Sequence, residues 1–275
     1  MKKLGYSLLI LVVYFWGYYN YLFVSKFEIY YLDVGQGDAI FLRIGKSKVL
    51  IDTGDKDSLI NVMGAYFPPY LSSLDYVVIT HLHIDHVGGL RKLVQLGLVD
   101  NLVKTEYNDN GDDYYYYDDV CSSVRCLSLE KQSITSIDID NGHTLHLYNP
   151  KLSSNENNNS IICWLNTSVF TFLFMGDLEA EAEKDLIDVI ENRIQNKVIL
   201  KAGHHCSSTS SSSIFLDNMN VECAVCSVGK DNKYHHPSLL TIENLLEAGA
   251  IVYRTDIDGT IVITVYKNEI NIKTY

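Results

Sequence analysis

The segment Thr80–Gly89 (THLHIDHVGG) holds the densest group of side chains in the sequence that could bind a metal. Within six residues it places three imidazoles and a carboxylate: His81, His83, Asp85 and His86. Imidazole nitrogens and carboxylate oxygens are preferred ligands of zinc and similar cations. His81 and His83 point to one side of an extended chain, whereas Asp85 and His86 follow at the turn and can face a second ion. The spacing therefore predicts a metal site, and we favour two ions.

Further polar side chains follow other predicted strands. Asp177 comes after an apolar run, and we interpret it as a carboxylate bridging two cations rather than only as the N-cap of the next helix. At least one of His204 and His205 is expected to be a ligand, and the other to contact substrate. Asp52 is expected to orient a metal-bound histidine. Since loops at one rim of a rigid scaffold often form a single site, we expect these residues to converge.

The elements that must position these residues are predicted from the hydrophobic pattern. Strands are expected at 27–33, 39–44 and 48–51, followed by a helix at 59–66 and a strand at 74–79 that leads into the histidine cluster. Strands at both ends of the chain with helices between them predict an α/β architecture, in which two mixed sheets pack together with helices outside.

The N-terminus predicts a membrane segment. After Lys2 and Lys3, the stretch Leu4–Val24 is nearly uncharged and has roughly the 20 residues that one bilayer crossing needs. Because no Ala-x-Ala-like cleavage site is evident, we favour an uncleaved signal anchor at 1–25 over a cleaved signal peptide or a soluble amphipathic helix. In the first two cases the domain at 26–275 lies outside the cytoplasmic membrane, either anchored or secreted.

The net charge limits the possible binding partners, and the cysteines bear on the redox compartment of the protein. The net charge of −12 argues against a broad nucleic-acid footprint, although metals could still hold a nucleic acid at one phosphate. Cys121 and Cys126 could close a short loop, which would suit an oxidising exterior. Cys223 and Cys226 face opposite sides of a predicted strand, and we interpret them as buried small hydrophobic residues rather than a metal pair.

The order of these motifs resembles the metallo-β-lactamase superfamily. The matching segments are Asp33–Asp38 (DVGQGD), Ile51–Gly54 (IDTG), Thr80–Gly89, Asn157–Ser160 (NNNS), Gly176–Asp177, Gly203–Ser207 (GHHCS) and Asn232–Pro237 (NKYHHP). Within it, the chain is most similar to the metallo-β-lactamase domain of the ComEC-type competence proteins, as a stand-alone membrane-anchored relative. The resemblance implies a four-layer αββα sandwich with the metal site at one sheet edge, preceded by one N-terminal hydrophobic helix.

The resemblance also implies residue roles. His81 and His83 would bind one ion, Asp85 and His86 the other, and Asp177 would bridge them. We favour His205 as the remaining ligand and His204 as a phosphate contact, a choice that spacing alone leaves open. His236 would be the substrate-side histidine with Asn232 and Tyr234 nearby, unless it only begins the next helix. Supporting roles fall to Asp33, Asp38, Asp52, Asn159 and Ser160.

Two departures from the family pattern concern the metal site. Asn158–Ser160 stands where many members carry another histidine, so the first ion would be held weakly or only with substrate. Cys206 replaces a glycine that usually follows the histidine pair, and we favour a bystander role over that of a soft extra ligand or an oxidation-sensitive neighbour.

The chemistry implied is hydrolysis assisted by one or two Zn²⁺ ions, with Mn²⁺ as an alternative. A hydroxide held between the ions would attack the substrate, and Asp85, His204 and His236 would be the catalytic residues. We favour a phosphodiester substrate, such as DNA or a cell-surface phosphodiester. The alternatives are hydrolysis of a carboxylic ester, lactone or β-lactam, and a non-catalytic membrane-anchored protein that keeps the metal for stability. No protein partner is evident.

Overall fold

The computed structural model describes residues 10–17, 26–55, 58–66, 73–105 and 119–275 of the chain. Residues 10–17 are helical, which places a helix within the predicted N-terminal segment. Among the helices in these ranges, none has the length and apolar character required to cross a bilayer. The remainder of the proposed anchor at 1–25 lies outside the described residues.

Fifteen strands build the described domain. They are β1 Phe27–Tyr31, β2 Ile40–Ile44, β3 Ser47–Ile51, β4 Tyr76–Val78, β5 Asn101–Thr105, β6 Arg125–Leu129, β7 Ser133–Ile139, β8 His143–Asn149, β9 Ile162–Asn166, β10 Phe170–Phe174, β11 Lys197–Lys201, β12 Val221–Cys226, β13 Ile251–Arg254, β14 Ile261–Tyr266 and β15 Glu269–Thr274. Most are rich in the β-branched and aromatic residues that suit a pleated, half-buried surface.

The main helices of the described domain lie between these strands. They are α1 Ser58–Tyr66, α2 Ile84–Val87, α3 Leu90–Gln95, α4 Ala180–Ile190, α5 Ser213–Asp217, α6 Leu239–Glu247 and α7 Thr255–Asp258. The helix predicted at 59–66 is thus confirmed as α1, whereas the strand expected at 74–79 is shorter and spans only β4.

The strands form two mixed sheets. The eight-stranded sheet has the order β15-β14-β1-β2-β3-β4-β5-β6, and the seven-stranded sheet has the order β13-β12-β11-β10-β9-β8-β7. Pairing is parallel from β3 to β6 and from β10 to β13, and antiparallel elsewhere.

Three hydrophobic clusters define four layers. One lies between the sheets and includes Ile29 of β1 and Phe172 of β10. A second joins the seven-stranded sheet to α4, α5 and α6, for example through Leu186. The third joins the eight-stranded sheet to α1 and α3 through Leu59 and Leu90. The αββα sandwich expected from the sequence is therefore confirmed.

The candidate ligands lie at the carboxyl ends of parallel strands, where ligands commonly bind in such sheets. Asp52 follows β3 and His81 follows β4 in one sheet, whereas Asp177 follows β10 and His205 follows β11 in the other. Gly37 lets the β1–β2 loop approach α2, since its φ is +134° and a Cβ there would collide with the carbonyl oxygen of Asp85.

Candidate metal centre

Four side chains converge at the edge shared by the two sheets. The Nε2 atoms of His86 and His205 are 3.3 Å apart. His86 Nε2 lies 3.2 Å from Asp177 Oδ1, and His205 Nε2 lies 3.4 Å from Asp177 Oδ2. Asp85 Oδ2 is 3.3 Å from His205 Nε2. Two imidazole nitrogens and two carboxylates thus face one another, and we name His86, His205, Asp85 and Asp177 the second-ion group.

Several separations within the second-ion group match those between ligands of one divalent cation. Ligand atoms placed about 2.0–2.1 Å from a tetrahedral ion are about 3.3–3.4 Å from one another. Four separations within the group, at 3.2–3.4 Å, lie in this range. The residues present therefore fit an ion of this kind.

The other imidazole nitrogens of this group are oriented by hydrogen-bonding partners. His86 Nδ1 lies 2.8 Å from Asp52 Oδ2, and Asp52 also accepts hydrogen bonds from the amide and hydroxyl of Thr80. His205 Nδ1 lies 2.9 Å from the carbonyl oxygen of Ser227. Such partners fix the ring tautomer and leave Nε2 free for an ion. Asp52 accordingly takes the orienting position predicted for it.

A second cluster adjoins the first. His81 and His83, together with Asp177, place potential ligand atoms within 4.8 Å of one another, and we name these three residues the first-ion group. His81 Nε2 is buried and has no hydrogen-bond partner among the described residues, a costly state that a bound cation would relieve. His81 Nδ1 instead meets the hydroxyls of Thr80, at 3.1 Å, and Ser160, at 3.3 Å.

His83 has a partner that the sequence interpretation missed. Its Nε2 lies 2.9 Å from Glu156 Oε2, in the short 3₁₀ segment Glu156–Asn159. Ser160, directly after this segment, accepts a hydrogen bond from the Asp177 amide as well as contacting His81. Ser160 therefore supports both groups from the segment where many members of the resembling family carry a histidine.

The electrostatics of the second-ion group favour a cation. Burial alone would lower the pKa of His86, yet the carboxylates of Asp177 and Asp52 raise it well above its ordinary value. Burial opposes charge on His205 as well, and Asp177 and Asp38 raise its pKa. Burial raises the pKa of Asp177, but the two histidines outweigh it and leave that pKa well below its ordinary value. The carboxylates thus demand positive charge here, as a metal site requires.

Lys201 is a fully buried cation that sequence reasoning did not single out. Its ammonium forms an ion pair with Asp38 and donates a hydrogen bond to the carbonyl oxygen of Gly176 at 3.1 Å. Asp38 also lies 3.4 Å from His205 Nδ1. Burial would raise the pKa of Asp38, but Lys201 and then His205 outweigh it and lower that pKa. The sequence offered one signal for this role, because Lys201 ends an apolar strand shortly before the histidine pair.

The histidine pair adopts a rare backbone conformation. His204, His205 and Cys206 have φ values of 44°, 51° and 60°. This left-handed region costs an L-residue about 1–2 kcal/mol, so three consecutive members need outside support. The structure joins Cys206 to Cys226 in a disulfide. The interpretations of Cys206 as a bystander and of Cys226 as a small hydrophobic residue were therefore wrong.

The remaining cysteines behave as expected. Cys121 and Cys126 form a disulfide that closes a short loop. Cys223 is a buried free thiol, as is Cys163. Cys223 packs between the two sheets and Cys226 packs toward the helices, so the two side chains do face opposite sides of β12.

The alternative roles considered for Asp177 and His236 do not match the helix ends. Helix α4 begins after Glu179 as its N-cap, and α6 begins after Ser238. Asp177 therefore does not cap α4, and His236 does not begin α6.

A cavity of about 320 Å³ opens from the candidate ligands. It is lined by Gln36, His83, Ile84, Asp85, Asp177, His204, His205, Tyr234 and His236. His204 lies at its edge, with Nε2 3.9 Å from Asp177 Oδ2 and Nδ1 3.1 Å from Glu179 Oε1. Tyr234 and His236 stack with nearly parallel rings. The structure thus brings three of the predicted substrate-side residues, His204, His236 and Tyr234, to one opening.

Three predicted site residues do not reach this cavity. The Asn232 amide is hydrogen-bonded to the backbone of its own loop, at Gly229, Tyr234 and His236. Asn159 is bonded to the backbone of Ser153 and Asn155. Asp33 is exposed and accepts from the Gly35 amide, and within the described contacts its carboxylate meets none of the candidate ligands. The described hydrogen bonds of these side chains lie within the loops that carry them.

Comparison with known proteins agrees with the fold and the motif. Residues 32–118 match the sequence profile of the metallo-β-lactamase superfamily, and this segment contains the histidine cluster. This segment of the chain therefore resembles the metallo-β-lactamase superfamily. Its structure resembles the metallo-β-lactamase fold protein YhfI from Bacillus subtilis with a TM-score of 0.58 at 10% identity, covering 86% of this chain and 99% of that one.

Among curated proteins, this chain is similar to competence proteins. It is 29% identical to ComE operon protein 3 of Bacillus subtilis (strain 168), over 90% of this chain and 34% of that protein. It is 25% identical to competence protein ComA of Neisseria gonorrhoeae, over 83% of this chain and 31% of that protein. The predicted resemblance to ComEC-type proteins is confirmed, and the chain spans about a third of the length of these relatives.

Proposed function

We propose that this metallo-β-lactamase superfamily hydrolase is a metal-dependent phosphodiesterase. The observation that carries the proposal is the convergence of the second-ion group beside the first-ion group, both open to one cavity. Zn²⁺ suits this set of nitrogen and oxygen ligands, and Mn²⁺ is the alternative.

The proposed ligands divide between two ions. His81 and His83 would hold the first ion, His86, His205 and Asp85 the second, and Asp177 would bridge them because its two oxygens face both groups. The ions, when bound, would supply an activated water and offset charge that develops on the substrate oxygens. Asp52, Ser160 and the pair of Asp38 with Lys201 would hold the ligands in place.

The substrate side is suited to a single anionic group. The Thr209 hydroxyl and Glu179 both contact Nδ1 of His204, and Nε2 of this imidazole is turned toward Asp177 and the cavity. Burial, followed by the neighbouring His204, lowers the pKa of His236 to about 4. A neutral His236 donates a hydrogen bond to a non-bridging oxygen without giving up its proton. Recognition at one phosphate also accommodates the net charge of −12, which disfavours a long nucleic-acid footprint.

We further propose that the domain at 26–275 works outside the cytoplasmic membrane, held by the segment 1–25. Two disulfides within the described residues support this location, because disulfides persist mainly in oxidising compartments. The positively charged start of the chain before an apolar stretch agrees with that orientation. The physiological substrate would then be DNA or a phosphodiester at the cell surface.

The test is hydrolysis by the full chain, stripped of metal and then loaded separately with Zn²⁺ and Mn²⁺. The substrates are bis-p-nitrophenyl phosphate and single-stranded DNA, with nitrocefin run beside them. His83→Ala and Asp177→Ala are the inactivating variants, and His146→Ala is the matched control because His146 stacks on Trp164 away from the cavity.

Turnover of the phosphodiesters that is lost in both ligand variants and kept in His146→Ala would support the proposal. Turnover of nitrocefin alone would replace it with hydrolysis of a β-lactam-like bond. A folded, fully metallated chain that turns over none of the three substrates would favour a binding role.

A further inference from the structure

The backbone around His205 is held at two adjacent positions by β12 and the residue that follows it. Cys226, the last residue of β12, is joined to Cys206 by the disulfide, with 5.6 Å between Cα atoms. The next residue, Ser227, receives the hydrogen bond of His205 Nδ1. A covalent link and a hydrogen bond therefore connect the same two segments, one residue apart.

The left-handed run at His204–Cys206 is also supported by hydrogen bonds on its C-terminal side, where the Ser207 amide donates to the His204 carbonyl oxygen at 2.8 Å. The Cys206 carbonyl accepts a hydrogen bond from the Ser238 amide at 2.8 Å, and the Cys206 side chain is buried in the cluster beneath the helices, where it forms the disulfide. On the N-terminal side, the His204 amide donates to the carbonyl oxygen of Gly176 at 3.1 Å. Since glycine is the residue that adopts positive φ without cost, a cysteine there needs an added constraint.

We propose that the Cys206–Cys226 disulfide is a positioning element of the metal centre. It holds Cys206 in the left-handed conformation and so places His205 Nε2 against Asp177 and Asp85. The proposal rests on the proposed function, because it takes His205 to be a ligand of the second ion. This role goes beyond general stability, because removing the disulfide weakens the binding of one ion and leaves the binding of the other unchanged.

The chain contains a matched control. The Cys121–Cys126 disulfide joins residues five positions apart, one of them in β6, and the described contacts do not connect it to any candidate ligand. Removing it tests the loss of a disulfide as such.

The experiment is calorimetric titration of the metal-free full chain with Zn²⁺ and, separately, Mn²⁺. The variants are Cys206→Ala/Cys226→Ala, Cys206→Gly/Cys226→Ala and the control Cys121→Ala/Cys126→Ala. His205→Ala is made alone and combined with Cys206→Ala/Cys226→Ala. Thermal unfolding of each metal-free variant is recorded beside the titrations.

We expect Cys206→Ala/Cys226→Ala to bind one of two ions about 10- to 100-fold more weakly, as for loss of residues that orient a ligand. The glycine variant should recover most of this affinity, because glycine adopts positive φ freely. The control should bind as wild type. In the His205→Ala background, removing the disulfide should produce no further loss, since both changes act through one side chain.

Three results would overturn the proposal: wild-type affinity for both ions in the alanine pair, equal weakening of both ions, or a further loss of affinity in the His205→Ala background. A wild-type chain that binds no ion would overturn this proposal together with the proposed function. Two-ion binding by wild type with an unaffected alanine pair would overturn the positioning role alone.

Discussion

The Nε2 atoms of His86 and His205 lie 3.3 Å apart although the residues are separated by 119 positions in the sequence. His86 belongs to α2, after β4 of the eight-stranded sheet, and His205 follows β11 of the seven-stranded sheet. The proposed metal centre thus straddles the two sheets, and its geometry depends on how the cluster between them packs. Metal binding should in turn stabilise the stacked sheets, because an ion that binds only the folded chain shifts the equilibrium toward it.

Replacing single ligands should distinguish the binding of the two ions. Asp177→Ala removes the carboxylate that faces both groups, so metal content measured by mass spectrometry should fall for both ions. His83→Ala should lose only the first. Each should lower kcat by roughly 100-fold or more. His146→Ala should retain both ions, and loss of only one ion in Asp177→Ala would contradict a bridging role.

Glu179→Gln should disturb His204 without affecting metal binding. Glu179 accepts from the side-chain amides of Asn155 and Asn157 and contacts His204 Nδ1, and glutamine replaces one acceptor by a donor. We expect kcat/KM to fall about tenfold with metal content unchanged. Asp188→Asn, on the exposed face of α4, is the control. A loss of metal in Glu179→Gln would show that the residue supports the ions instead.

The contribution of His236 should not depend on pH in the neutral range. Its pKa of about 4 leaves the imidazole neutral above pH 6, because burial and His204 disfavour its charged form. His236→Asn should therefore lower kcat/KM by the same factor, roughly 100-fold, at pH 6, 7 and 8. His235→Asn, at its exposed neighbour, should have little effect. A deficit that shrinks steadily as pH rises would instead identify a protonated histidine.

Breaking the ion pair of Lys201 with Asp38 should destabilise the metal-free chain. Lys201→Met leaves a buried carboxylate without its cation, which costs about 3–5 kcal/mol in the free energy of unfolding. Urea denaturation measures this loss, and adding Asp38→Asn should recover part of it. Lys197→Met breaks the exposed pair with Glu222 and should cost only about 0–1 kcal/mol. Equal losses in the two lysine variants would contradict the interpretation.

Thiol counting tests the cysteine pairing. Of the six cysteines, only Cys163 and Cys223 are free, and both are buried. A thiol reagent should find almost no reactive group in the native chain. It should find two per chain in denaturant without reductant, and six after reduction. Four reactive thiols without reductant would show that one of the two disulfides is missing.

Residues that are close in sequence were predictable from the sequence, and those joined only by the fold were not. His81, His83, Asp85 and His86 share one segment, so their chemistry and spacing could be recognised directly. Strand-end position was enough to bring Asp177 and the pair of His204 and His205 to the same edge, because the parallel strands of both sheets end there, whereas the choice of His205 as ligand came from the family resemblance.

The partners of these residues needed three-dimensional information. Lys201 and Asp38 come from different sheets, and the pairing of Cys206 with Cys226 depends on the alignment of β11 with β12. Glu156 and Glu179 look like ordinary surface carboxylates until the loops that carry them fold over the histidines. For Asn232, the residue type suggested substrate binding, but its hydrogen bonds are made within the loop.

The structure of the loop around Asn232 bears on which step would limit substrate binding. Asn232 has two donors and two acceptor positions, and all four are satisfied by Gly229, Tyr234 and His236. The loop that carries Tyr234 and His236 is therefore ordered when the chain folds. Substrate binding loses no entropy through ordering this loop, so its affinity is not lowered on that account. The rate of substrate association at this loop would be set by diffusion and orientation rather than by loop closure.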